Sequence, residues 1–151
     1  MEYTIETKPA MMLAGYTMEV TAETTQLINQ LWELFLATWQ KVDYANHQAF
    51  YTIQSQAKSE QLGAFNYSVA IEVEGFGELP EGMEYLDLAA MEYACFTATQ
   101  AQPVEQLYAE MEHTLRADHI TFLSDYTLER YPSTNPTQVQ ILVPLRETEE
   151  N

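Results

Sequence analysis

Residues 65 to 74 read Phe65-Asn66-Tyr67-Ser68-Val69-Ala70-Ile71-Glu72-Val73-Glu74. Tyr67, Val69, Ile71 and Val73 recur at every second position, so an extended chain carries them on one face. The segment Val139 to Leu145 uses the same device, with Val139, Ile141, Val143 and Leu145 in phase. Ahead of each strand the same order of elements occurs. Before Phe65 stand a strand at about Phe50 to Gln56, a helix capped by Thr21 or Thr24 and running to about Lys41, and a strand over 11–20. Before Val139 stand a turn from Pro132 to Pro136 and a strand at about Ser124 to Tyr131. Ahead of these come a helix opened by Pro103 and a long, bent strand from Tyr85 to Thr99. Gly75, Gly77, Pro80 and Gly82 separate the two runs.

The pattern predicts an α+β fold of duplicated βαββ units over 11–75 and 85–145. Pseudo-twofold symmetry would relate two antiparallel sheets. Two main helices would cover one side, with a ligand cleft between the repeats. One domain spans 1–151, Tyr3 to Thr7 adds to a sheet edge, and 146–151 forms a solvated tail.

Each helix carries an apolar stripe. Leu27, Ile28, Leu31 and Phe35 line the first, and Val104, Leu107, Met111 and Leu115 line the second, with Tyr108 beside them. The first helix has a further line, Trp32, Leu36 and Trp39, on another face. One stripe suffices to seat a surface helix, so the extra line faces a pocket, the other repeat or another subunit.

Charge excludes several functions. Against 23 acidic residues stand 6 basic ones, a net charge of -17, with the cations scattered along the chain. Phosphate backbones require clustered Lys and Arg, so no direct nucleic-acid contact is expected. An acidic field instead gathers cations. No apolar run approaches the roughly 18 residues of a membrane span. The N-terminus lacks the order of a signal peptide, so a cytoplasmic protein is expected. Cys95, the only cysteine, lies in an apolar run and reads as inert core. His47, His113 and His119 are dispersed, so neither metal nor cofactor is implied. No nucleophile elbow or phosphate loop occurs, and no catalytic residue is assigned.

Glu129 is the strongest binding candidate. In Tyr126-Thr127-Leu128-Glu129-Arg130-Tyr131-Pro132, alternation puts it on the face of Thr127 and Tyr131. A carboxylate among rings in a cleft would favour ligands that bring positive charge. Trp32, Phe35, Leu36, Trp39, Tyr51, Tyr67, Tyr93 and Tyr108 supply candidate ring faces, apolar walls and hydroxyls. The plainer alternatives are a surface glutamate paired with a base, and rings that only fill a core.

The chain resembles the GyrI-like (gyrase-inhibitor-like) small-molecule-binding domains, which also serve as effector domains of AraC- and MerR-type regulators. The likeness runs through Leu31-Trp32-Glu33-Leu34-Phe35, Tyr51-Thr52-Ile53 and Phe65-Asn66-Tyr67-Ser68-Val69. It continues through Leu88 to Phe96, Leu128-Glu129-Arg130-Tyr131 and Val139 to Leu145. The chain also looks like the stand-alone, single-domain members carried on integron cassettes. The resemblance implies the duplicated fold and places Glu129, the glutamate of a (Phe/Leu)-Glu-x-Tyr motif, in the cleft. It implies binding of bulky cationic molecules. The chain departs from the family's regulators in starting at its first strand, with no helix-turn-helix expected before it. Thr52 departs from the pattern, because many relatives carry glycine after the tyrosine. Two alternatives come with the likeness. One is a hydrolase using Glu129 as base with Tyr67 or Tyr93 as acid; the other is a module binding gyrase or another protein. The oligomeric state, monomer or dimer, stays open.

Overall fold

The computed structural model describes residues 1–56, 63–99, 104–133 and 137–148. Among them, the elements follow as β1 (Thr4–Lys8), β2 (Met11–Val20), α1 (Gln26–Thr38), β3 (Ala45–Gln56) and β4 (Phe65–Val73). Then come β5 (Glu84–Leu88), β6 (Met91–Thr99), α2 (Val104–Ala117), β7 (Tyr126–Pro132) and β8 (Gln138–Glu147). All strands pair antiparallel in one open sheet ordered β1-β6-β8-β7-β3-β4-β2-β5. The fold is α+β, and β1 adds to a sheet edge as expected.

Where two sheets were expected there is one. β3 and β7 pair from Ala49↔Pro132 to Ser55↔Tyr126 and join the halves through the middle. Pairing satisfies the backbone N–H and C=O groups that two separate inner edges would leave open. Nor is 85–99 a single bent strand. Leu88 and Met91 are three residues apart yet enter the same core, which unbroken alternation forbids. The chain is redirected at Ala89-Ala90, so β5 pairs with β2 while β6 pairs with β1 and β8.

This connectivity forces the sheet to curl. Lys8 and Met11 are three Cα steps apart, at most about 11 Å, yet β1 and β2 lie six places apart in the sheet. In a flat sheet six places would span roughly 29 Å. Leu88 and Met91 impose the same closure between β5 and β6. The strongly curled sheet therefore buries one face largely within itself. There Leu13 and Leu128, at 0% exposure, meet Ala70, Tyr93 and Leu142. The helices cover the other face in two cores. Leu31 and Phe35 of α1 pack on Tyr16, Val69 and Ile71. Leu107, Met111 and Leu115 of α2 pack on Phe96, Ile141 and Val143.

Local chemistry adjusts the expected boundaries. The residue capping α1 is Thr25, with no side-chain capping bond. Thr21 and Thr24 instead bond each other, the Thr21 N–H donating to Thr24 Oγ1 at 2.9 Å. After Thr38 the helix tightens into a 3-10 turn, Trp39–Lys41. α2 closes at His119 (φ 58°), where the Ile120 N–H returns to the Leu115 carbonyl at 2.8 Å and caps the helix end. β3 starts at Ala45 and carries an irregularity before Phe50. β8 runs to Glu147, so Arg146 and Glu147 belong to the sheet rather than a tail, and Arg146 pairs with Glu92 at 3.3 Å. Pro103 and the end of the turn toward Pro136 lie outside the described residues. No described helix is long and apolar enough to cross a membrane.

Candidate functional site

Alternation decides what the joined strands β3 and β7 present. In register, Thr52 stands opposite Glu129 on the helix-covered face, and Tyr51 opposite Arg130 on the other. Two sequence neighbours of opposite charge are thus sent to opposite sides of the sheet.

Glu129 is 6% exposed, and Thr52 beside it is 0% exposed. Three hydroxyls from three elements converge on the carboxylate. Thr52 Oγ1 of β3 donates to Oε1 at 2.6 Å, and the Tyr131 hydroxyl of β7 donates to the same oxygen at 3.2 Å. The Tyr108 hydroxyl of α2 donates to Oε2 at 3.1 Å. α1 contributes Trp32, whose ring stands 5.3 Å from that of Tyr131 at 82°, and whose Nε1 donates to the Tyr67 hydroxyl at 3.0 Å. Among the described residues the ion pairs are Lys8–Glu6 and Arg146–Glu92, so no described cation pairs with Glu129.

The surrounding tyrosines are held protonated. Burial, then the Glu129 charge, pushes Tyr108 and Tyr131 well above the ordinary tyrosine value. Tyr67 is pushed up to about 12, chiefly by burial, with the Trp32 hydrogen bond opposing and the Glu129 charge adding to the rise. Each hydroxyl therefore acts as a neutral dipole toward the carboxylate.

Of the residues singled out by sequence, Trp32, Tyr67 and Tyr108 gather around Glu129. Phe35 and Trp39 form a layer behind, each 5.2 Å from the Phe50 ring. Leu36 is 51% exposed, so the second apolar line of α1 splits, its tryptophans turned inward and its leucine outward. Tyr51 and Tyr93 belong to the inner core on the opposite face and do not approach the carboxylate. The Tyr51 hydroxyl accepts from Arg130 Nε at 3.3 Å, and the Tyr93 hydroxyl bonds that of Tyr126 at 2.7 Å. A hydrolytic pairing of Glu129 with Tyr93 therefore lacks the necessary reach.

Thr52 and Tyr131 were not among the candidate ligand residues. Tyr131 shares the alternating face of Glu129, so its signal was present. Thr52 becomes visible only through the β3–β7 register. It is also the position at which the chain departs from its family resemblance, and it gives the shortest bond in the site. Cys95 is half-buried and its thiol is pushed up to about 12, first by burial, which suits an inert side chain.

Solved structures share this architecture. The protein SAV2435, determined bound to tetraphenylphosphonium, superposes with a TM-score of 0.76 at 18% identity, over 97% of this chain and 94% of that one. An integron cassette protein from the mobile metagenome of Vibrio cholerae gives 0.69 at 21%, over 95% of each chain. EcmrR, in a complex with DNA, gives 0.71 at 10%, over 97% of this chain and 58% of that longer one. No curated protein matches in sequence. The family model described as integron-associated effector binding protein matches residues 4–145, and the chain belongs to that family.

Proposed function

We propose that this protein binds bulky organic cations, with Glu129 as the charge partner and Trp32, Tyr67, Tyr108 and Tyr131 as the surrounding wall. The observation that carries this reading is a buried carboxylate with hydroxyl donors on both oxygens and no described cation. An unpaired charge taken out of water costs several kcal/mol even after relaxation, and neutral donors offset only part of that. A ligand cation would supply the rest. Aromatic faces would add up to about 2 kcal/mol per well-placed, desolvated contact. Such contacts discriminate poorly between cations, so broad specificity follows. Membership of an effector-binding family and the tetraphenylphosphonium bound to SAV2435 support the same ligand class.

The test is thermal unfolding of wild type and Glu129→Gln with tetraphenylphosphonium and a size-matched neutral compound. Ligand at one hundred times its dissociation constant adds about 2.7 kcal/mol of stability. The expected result is a clear rise in Tm for wild type with the cation alone, absent in Glu129→Gln. An equal rise in both proteins would remove Glu129 from the site, and no rise in either would end the proposal.

A further inference from the structure

Near Glu129 lies a cavity of about 190 Å³ that shares only Tyr108 with the wall just described. It sits beneath α2, lined by Tyr108, Met111, Leu115, Phe122, Thr127 and Val143. Met111 and Leu115 are buried core residues, while Glu112 and Ser124 form an exposed rim. Trp32, Tyr67 and Tyr131 do not line it. Thr127 precedes Glu129 by two residues on the same strand face, about 7 Å along β7. Tyr108 touches both places: it lines the cavity, and its hydroxyl holds Glu129 Oε2 at 3.1 Å.

We infer that this cavity is a side pocket of the Glu129 site, receiving a single aryl arm of the cation, with Tyr108 as the movable partition. The inference rests on the cation-binding reading above. Tyr108 occupies the place on Oε2 that a ligand cation would take, so binding exchanges the hydroxyl donor for the ligand's charge. A Tyr108 ring that gives way joins the carboxylate to the cavity. The size fits one ring, because an apolar cavity of about 150 Å³ accepts one benzene. The lining is mixed: Met111, Leu115, Phe122 and Val143 offer apolar contact for a ring, Thr127 and Ser124 add hydroxyls, and Glu112 at the rim favours positive charge. The favoured ligand carries one aromatic group on a short tether from its cationic centre.

Benzyltriethylammonium and tetraethylammonium differ by one such arm, and calorimetric titration of both measures its worth. Wild type should prefer the benzyl compound by roughly ten-fold or more, the usual gain for burying one ring. Thr127→Phe fills the cavity from β7, and Ser124→Trp fills it from the exposed rim where folding tolerates the change. In both variants the preference should fall to within about two-fold while tetraethylammonium binds as before, a dependence on ring burial alone. A preference that survives both substitutions, or tetraethylammonium affinity that falls in step with it, overturns the side pocket. Glu129→Gln separates the two ideas. If it binds both cations as wild type does, the charge-partner reading itself fails. If it loses both while the filled variants keep their aryl preference, only the side pocket fails.

Discussion

At the centre of the sheet the two faces offer opposite solutions to one problem. On the helix side a buried carboxylate, Glu129, is held by the hydroxyls of Thr52, Tyr108 and Tyr131. On the other side the guanidinium of Arg130 donates to the Tyr51 hydroxyl and to Gln140 Oε1 at 3.0 Å. Both charges lean on neutral partners, and the residues are adjacent in sequence. They differ in surroundings. Arg130 borders an open cavity shared with Glu74, and Glu72 lies within its electrostatic reach. Glu129 is enclosed by rings and has no described counter-ion. A charge with solvent and carboxylates nearby is satisfied within the fold, whereas the enclosed one is the charge that the proposed reading leaves for a ligand.

Charge removal on either side should separate the faces most strongly. Glu129→Gln should cost cation binding about 2–5 kcal/mol, the range for truncating a desolvated charge partner. Arg130→Gln should leave tetraphenylphosphonium affinity within about two-fold, since a partly solvated charge on the far face contributes little. Titration calorimetry on both variants reads the contrast directly. Equal losses would mean that the two faces communicate and that burial of Glu129 does not single it out.

A smaller contrast lies in β3, where neighbouring residues serve opposite faces. Thr52→Val keeps the shape and deletes the 2.6 Å bond to a buried carboxylate. It should cost about 1.5–3 kcal/mol in urea unfolding, as hydrogen bonds to charged groups do. Tyr51→Phe deletes a longer bond to Arg130, which keeps Gln140 as a partner. Its cost should stay near 0.5–1.5 kcal/mol, the ordinary range for one hydrogen bond. A reversed order would mean that Arg130, not Glu129, is the more demanding buried charge.

Much of this arrangement was legible beforehand. Alternation in 65–74 and 139–145 identified two strands and their faces, and the same rule placed Glu129 with Tyr131. The rule is local, and it failed where information is not. Tyr51 and Tyr93 could be assigned to a face only relative to their own strand neighbours. Which face carried the helices depended on pairing across the β3–β7 seam. Thr52 gave no sign of its role for the same reason. The break at Ala89-Ala90 was hidden because residues on both sides alternate well, and only the sheet order separates them. The extra line of α1 did not hold together as one face. Leu36 stands about 100° round the helix from the buried Phe35, and so points outward while Trp32 and Trp39 pack on the core.

The finest contrast concerns the tyrosines. Tyr67 on the helix face and Tyr93 on the other are both raised, first by burial, but only Tyr67 also feels the charge of Glu129. A tyrosine raised in the folded state binds its proton more tightly there than when unfolded. Its stabilising contribution is complete below the unfolded value near 10 and is lost as pH climbs toward the folded value. For Tyr67 that window runs from about 10 to about 12. Stability should therefore fall across it, and Tyr67→Phe should flatten the fall by up to about 1.4 kcal/mol per pH unit. Glu129→Gln should act more subtly, drawing the Tyr67 midpoint down because one cause of its rise is removed. Tyrosinate absorbance, assigned by difference against Tyr67→Phe, follows that midpoint. If it stays in place, the charge of Glu129 does not reach Tyr67; if it falls, the charge acts on the face where a ligand would meet it, whereas the rise of Tyr93 on the other face has no contribution from Glu129.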